Sequence, residues 1–378
     1  MLAIINATVV LPDYYIPCGT VLIDGDKIAE VGKKVHIPEG TKIIDAKGAY
    51  VGPGLIDIHT HADGETFFTE DPVKAANTLL DHGVTSVLPA LYYNMNKEQY
   101  LDAIELVKGA MPQAKNIIGF YMEGPYLNPN YGCNRENNPW KDAVNAEKYA
   151  PIVDAAGDLA KVWCLAPERE NIEEFVKYAK SVNPNAIFSV AHSEAEPADI
   201  EALKPYGLKL ATHHTNATGT LYRYPECRTA CVDETALYND SIYVEIICDK
   251  LGIHVAPYMQ RLIKKIKGDD RIILIADSFV EHGPIPDGDL YEGADDINFD
   301  FAGEIAGSKM ILDGPCQNIM MHTGASICQA FKYASTNPAA LLSLSDRGEV
   351  APGKRADLII VDDKFNVQNV FLGGEQVR

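Results

Sequence analysis

Apolar and polar positions along this chain fall into alternating blocks. Eight apolar runs bounded by turn residues read as strands, at 51–59, 85–91, 117–123, 160–166, 186–192, 208–213, 241–248 and 271–277. Segments of helical periodicity lie between most of them, at 71–82, 97–110, 145–156, 170–182, 196–205 and 254–267. Eight βα units in succession predict an α/β fold of the (β/α)8 TIM-like barrel type, with its active site at the C-terminal ends of the strands. A doubly wound open sheet produces similar blocks, so the pattern alone leaves both architectures standing.

The two ends of the chain read differently. Short β-like runs such as Thr20-Val21-Leu22-Ile23, Leu358-Ile359-Ile360-Val361 and Val367-Gln368-Asn369-Val370-Phe371-Leu372 carry too few apolar residues for either end to stand alone. Together, residues 1–50 and 350–378 predict one small β-sandwich, leaving 51–349 for the barrel.

Metal-competent side chains close the strand runs. In His59-Thr60-His61 the alternation of a strand sends both imidazoles to one face. Two such rings hold a metal ion or are simply polar residues at a strand end. Glu123, His192, His213 and Asp277 end four other runs. In a barrel all six project into one mouth, which a capping role for each residue explains poorly.

Composition changes the picture in two respects. The chain has 378 residues and a formal net charge of −20, which argues against a nucleic acid or an anionic membrane surface as partner. An anionic small molecule would need local cationic help. Eight cysteines, at 18, 133, 164, 227, 231, 248, 316 and 328, form no framework and suggest reduced thiols in a cytoplasmic setting. The spacing of Cys227 and Cys231 does not suit a Cys-x-x-Cys site. No apolar run approaches the roughly 20 residues that span a bilayer, and the N-terminus reads as a first strand rather than a secretory signal.

Several segments then align with a known pattern. They are Pro53-Gly54-Leu55-Ile56-Asp57-Ile58-His59-Thr60-His61, Met122-Glu123-Gly124-Pro125-Tyr126-Leu127-Asn128, Ala191-His192-Ser193, Thr212-His213 with Asn216-Ala217, and Gly252-Ile253-His254. Ala276-Asp277, Ala306-Gly307-Ser308 and Gly348-Glu349-Val350-Ala351-Pro352-Gly353 follow. The chain resembles the amidohydrolase superfamily and, within it, the N-acetylglucosamine-6-phosphate deacetylases, over nearly its whole length. The resemblance implies a divalent-metal enzyme that hydrolyses the acetyl amide of an amino-sugar phosphate.

Glu123, His192 and His213 offer one carboxylate and two imidazoles, with an open position for water. His59 and His61 would hold a second ion with Glu123 bridging. The family contains one-metal and two-metal members, and the intact His-x-His favours two. Nitrogen and oxygen donors suit zinc first, with iron, manganese or cobalt as alternatives. The resemblance makes Asp277 the group that takes the water proton and returns it to the leaving amine. It makes Asn134, Asn216, Ala217 and His254 substrate contacts. Arg223, or else Arg228, becomes the phosphate cation, in the family supplied across a homodimer.

Three departures accompany the match. Ala62-Asp63-Gly64-Glu65-Thr66-Phe67-Phe68 replaces a glycine-rich loop, Asn134 stands where the family carries His or Gln, and residues 218–235 diverge from the family's arginine loop. These leave room for a different N-acyl or cyclic-amide substrate, or for a metal-binding paralogue without catalysis. His214 is expected to point away from His213 and to be structural.

Overall fold

The computed structural model describes residues 1–378. Eight strands form the barrel sheet: β1 (Leu55–Thr60), β2 (Val84–Tyr92), β3 (Phe120–Glu123), β4 (Ala160–Leu165), β5 (Ile187–Val190), β6 (Leu208–Ala211), β7 (Tyr243–Ile247) and β8 (Ile272–Ile275). They pair in sequence order, and every pairing is parallel. Two hydrogen bonds draw the ends together: Asp277 N–H donates to the His59 carbonyl at 2.9 Å, and His61 N–H to that of Ser278 at 2.9 Å. An open sheet is thereby excluded.

Strand alternation sorts the apolar residues. Leu88, Tyr121, Val162, Leu210 and Ile273 fill the barrel interior, while Val87, Met122, Trp163, Leu208 and Ile272 belong to the larger core shared with the helices. The expected helices are present, with ends moved by at most three residues. Lys97–Ala110 shows why they form: Asn96 and Gln99 make a capping box, and Tyr100, Ala103, Ile104 and Val107 are buried along one face. Trp163 packs edge-on against Phe175 at 5.3 Å, and truncating such a buried Trp to Ala costs about 3–5 kcal/mol.

The terminal segments form a second, mainly antiparallel sheet of eight strands. Leu2, Ile4, Val21, Ile23, Leu358 and Ile360 make its own core, whereas Val10, Ile359, Val361 and Val370 pack into the barrel–helix core. The run expected as one strand over 51–59 is two. Tyr50–Pro53 pairs with Leu358–Val361 in the terminal sheet, and only Leu55–Thr60 enters the barrel. Gly54 makes the crossing, because a Cβ there would lie 2.1 Å from the Thr85 hydroxyl.

Several elements went unread in the sequence, among them the helices Asp313–Thr323, Ile327–Phe331 and Asn337–Leu341 that follow β8. A short helix, Val232–Tyr238, joins β6 to β7, and a hairpin of Ile297–Phe299 and Ile305–Ser308 follows β8. No helix is long and apolar enough to cross a membrane.

Candidate active site

A cavity of about 580 Å³ opens at the C-terminal mouth of the barrel. His61, Glu123, His192, His213 and Asp277 line it, as do Asn134, Asn216, Ala217 and His254. His59 lies fully buried just behind this lining.

Three of these residues leave their strands in the left-handed backbone region, with φ of +42° at His192, +28° at His213 and +44° at Asp277. Such conformations are uncommon outside glycine and concentrate at functional positions. At His192 and His213 they break the strand alternation. Ser189 bonds inward to Thr212, so His192 would otherwise face the helices, and the left-handed turn brings its ring to the mouth. Gly132 permits the close approach beside it, since a Cβ there would meet the Tyr93 hydroxyl at 2.2 Å and His192 Nδ1 at 2.8 Å.

Five of the six expected groups converge as two triads sharing Glu123, namely His59, His61 and Glu123, and Glu123, His192 and His213, with Asp277 beside them. Within each triad the donor atoms lie within 4.8 Å of one another. Glu123 Oε2 is 3.3 Å from His61 Nε2, and Oε1 is 2.8 Å from His192 Nε2 and 3.3 Å from His213 Nε2. Asp277 Oδ1 lies 3.4 Å from His61 Nε2 and 3.6 Å from His59 Nε2.

This donor set fits a divalent cation. His61 Nδ1 faces the Ala90 carbonyl at 3.1 Å, and His59 Nδ1 faces Glu245 Oε2 at 3.1 Å. With protons assigned to those nitrogens, both Nε2 lone pairs turn towards carboxylate oxygens, an arrangement that demands positive charge between them. His59 Nε2 has no hydrogen-bond partner. The Nε2 atoms of His192 and His213 meet at 3.1 Å.

The electrostatics say the same. Burial would lower the His61 and His213 imidazoles, yet hydrogen bonds to Asp277 and Glu123 at His61, and to Glu123 at His213, push each up to about 9. Burial would raise the Asp277 carboxyl, but the charge of His59 and the hydrogen bond from His61 hold it at about 2. Glu123 is likewise held well below the usual carboxylate range against burial, by His192, His213 and His61. Where two carboxylates call for this much positive charge, a dication can take the place of protons.

His254 directs its Nδ1 to Asp249 Oδ2 at 3.1 Å, and its Nε2, on the cavity side, has no partner. The Asn216 side-chain amide nitrogen is also unpartnered. The cations expected from the divergent loop are elsewhere. Arg223 lies in an exposed hairpin strand, Tyr222–Tyr224, and does not line the cavity; Arg228, on the partner strand, pairs with Glu234. His214 is buried, with neither ring nitrogen hydrogen-bonded, and stays out of the cavity.

Sequence reasoning missed other wall residues. Arg135 is the one Lys or Arg lining the cavity, and its guanidinium is bidentate to Glu304 at 2.7 and 2.9 Å. That pair ties the loop after β3 to the hairpin after β8. Phe67, Tyr92 and Phe279 form an edge-to-face cluster against His61. The acidic Glu245 within the apolar run Tyr243-Val244-Glu245-Ile246-Ile247 was a readable signal, because carboxylates are rarely buried without a reason.

A closed eight-stranded parallel barrel with buried His and carboxylate triads at its C-terminal mouth defines a metal-dependent hydrolase. The amidohydrolase family profile matches residues 50–377, and the chain belongs to that family. It is a hydrolase of carbon–nitrogen amide bonds. N-acetylglucosamine-6-phosphate deacetylase of Bacillus subtilis (strain 168) is 27% identical over 97% of this chain and 94% of its own length. N-acetylgalactosamine-6-phosphate deacetylase of Escherichia coli O157:H7 is 26% identical over 85% of this chain and 86% of its own. Among solved structures, the N-acetylglucosamine-6-phosphate deacetylase of Pasteurella multocida superposes with a TM-score of 0.85 at 25% identity, covering 99% of both chains. That of Thermotoga maritima gives 0.80 at 25% identity over 100% of this chain and 99% of its own.

Proposed function

We propose that this enzyme removes the acetyl group of N-acetylglucosamine 6-phosphate, releasing acetate and glucosamine 6-phosphate. The observation that carries the reading is the placement of Asp277, a carboxylate on the cavity wall, held at about 2 and directed at the Nε2 atoms of His59 and His61. Such a group is ionised at neutral pH, so it accepts the proton of an attacking water and then delivers it to the leaving amine nitrogen. His59, His61 and Glu123 would hold one ion, and Glu123, His192 and His213 a second, with zinc the first choice and iron, manganese or cobalt alternatives. A bound divalent ion supplies Lewis acidity for the amide carbonyl and makes water more acidic.

In this reading the unpartnered Nε2 of His254, the Asn216 amide and the Ala217 backbone bind the sugar and its phosphate, and Asn134 faces the acyl end. Arg223 stands outside the cavity of its own chain, and in this reading it serves the neighbouring site of a homodimer. All eight cysteines are free, in keeping with a reducing cytoplasm.

One observation favours a second reading. Arg135, the only Lys or Arg on the cavity wall, is already matched by Glu304, so a single chain presents no free cation there. A neutral N-acyl substrate would need none. Acetate release from N-acetylglucosamine 6-phosphate, its galacto epimer and unphosphorylated N-acetylglucosamine separates the two. Turnover of phosphorylated sugars alone supports the first reading; equal turnover with or without phosphate supports the second.

A further inference from the structure

Glu245 lies on the inward face of β7 and is fully buried. No Lys or Arg lies within ion-pair distance, and its only basic partner is His59. Burying a carboxylate in this way is costly unless its oxygens are well bonded. Oε2 accepts from His59 Nδ1 at 3.1 Å and from the His213 backbone N–H at 3.1 Å. Oε1 accepts from the Tyr121 hydroxyl at 2.9 Å, itself 2.9 Å from the Thr212 hydroxyl. The Tyr121 ring in turn stacks on the His59 imidazole, with centroids 4.1 Å apart and planes at 20°.

These contacts hold His59 from two directions. The stacking fixes the plane of the ring, and the carboxylate fixes its rotation and keeps the proton on Nδ1. Only Nε2 is then left for the cavity side, where it has no partner. An anion behind an imidazole also makes the opposite nitrogen a better donor. The same Glu245 oxygen also accepts from the His213 backbone N–H at its left-handed turn, a bond that an amide oxygen in its place would keep.

We propose that Glu245 is a positioning residue for the metal centre: it selects the His59 tautomer that ligates and strengthens the ion held by His59, His61 and Glu123. The inference rests on the two-ion reading above, and the test separates them. Apo-protein is titrated with zinc against a chromophoric chelator, and bound metal is counted by atomic spectroscopy. Wild type, Glu245→Gln, His59→Ala and the double variant are compared, together with the Tm of each apo form.

Two ions per wild-type chain are expected. Glu245→Gln keeps the shape but removes the charge, and should weaken one of the two sites about 10–100-fold while leaving the other unchanged. In the His59→Ala background the same change should have no further effect, because Glu245 acts through that ring. Equal affinity in Glu245→Gln and wild type overturns the proposal. So does a loss shared equally by both sites with a lowered apo Tm, the mark of a scaffold residue. A single ion in wild type overturns the two-ion reading instead. Glu245 is then judged on that ion, by whether Glu245→Gln and His59→Ala weaken it non-additively. Should Glu245→Gln fail to fold, Tyr121→Phe keeps the stacking, removes one hydrogen bond to the carboxylate and should weaken the same site by a smaller factor.

Discussion

Asp277 and His59 are tied to each other twice. The Asp277 backbone N–H donates to the His59 carbonyl at 2.9 Å, one of the two bonds that close the barrel. Asp277 Oδ1 also lies 3.6 Å from His59 Nε2. The proposed proton carrier and a proposed ligand are therefore positioned by the sheet itself, so a side-chain change at 277 need not move either backbone.

Asp277→Asn is the sharpest use of that relationship. Asparagine keeps the size of the side chain and the closing bond, but it cannot accept the water proton. Acetate release should fall by at least about 10²–10⁴-fold, the usual contribution of a general acid–base group. Metal content should stay largely intact, because both triads remain. A variant that retains substantial turnover would sink the assignment of Asp277.

Removing the metal should have a thermodynamic signature as well as a kinetic one. Without a cation, His61 and His213 carry protons to satisfy Glu123 and Asp277. An ion present at about 100 times its Kd stabilises the native state by about 2.7 kcal/mol. Chelation should therefore lower the Tm and abolish activity, and adding back a divalent ion should restore both. A Tm unmoved by chelation would show that the triads hold no ion in the folded protein.

Much of this site was legible because strand ends are easy to read. Glu123 and Asp277 each close a run of β-type residues, and barrel topology gathers the ends of all eight runs at one rim. The split at Gly54 was not read: Gly52-Pro53-Gly54 is a break signal inside 51–59, but only pairing with Leu358–Val361 shows that the two halves join different sheets. The left-handed turns at His192 and His213 were hidden for a related reason. They follow from tertiary contacts such as the Glu245 bond to His213 N–H, not from local composition. Arg135 and Glu304 are 169 positions apart, and no local pattern pairs residues at that distance.

The Arg135–Glu304 pair should affect binding more than stability. Both side chains are about two-fifths exposed, at 40% and 43%, so the ion pair itself contributes only about 0.2–1 kcal/mol. Yet it joins two loops that wall the cavity. Arg135→Ala and Glu304→Ala should each shift Tm by only a degree or two while raising KM several-fold. The double variant should resemble either single one, because one shared contact is lost. Additive effects on KM would mean that each residue touches substrate separately.

Asp233, within the divergent 218–235 segment, gives a pH test at a carboxylate outside both triads. Burial raises its carboxyl from 3.8 to about 6 against a hydrogen bond from Thr218. Its contact with His214 at 3.7 Å gives no ion pair, because burial pushes that imidazole down to about 3. The folded state thus holds the Asp233 proton more tightly than the unfolded state does. Between about pH 4 and pH 6 the folded form binds more protons at this position, so stability falls as pH rises through that window. Above it the full penalty is present. The side chain keeps 27% of its surface exposed, and screening limits the penalty to about 1–2 kcal/mol. Asp233→Asn keeps an acceptor for Thr218 and has no charge to bury. The variant should therefore melt about 1–3 °C above wild type at pH 8, with the gap closing as pH drops from 6 to 4. Thermal melts of both proteins across that range, each with saturating metal, check the sign. A gap that widens on acidification would mean that Asp233 is stabilised in its charged form.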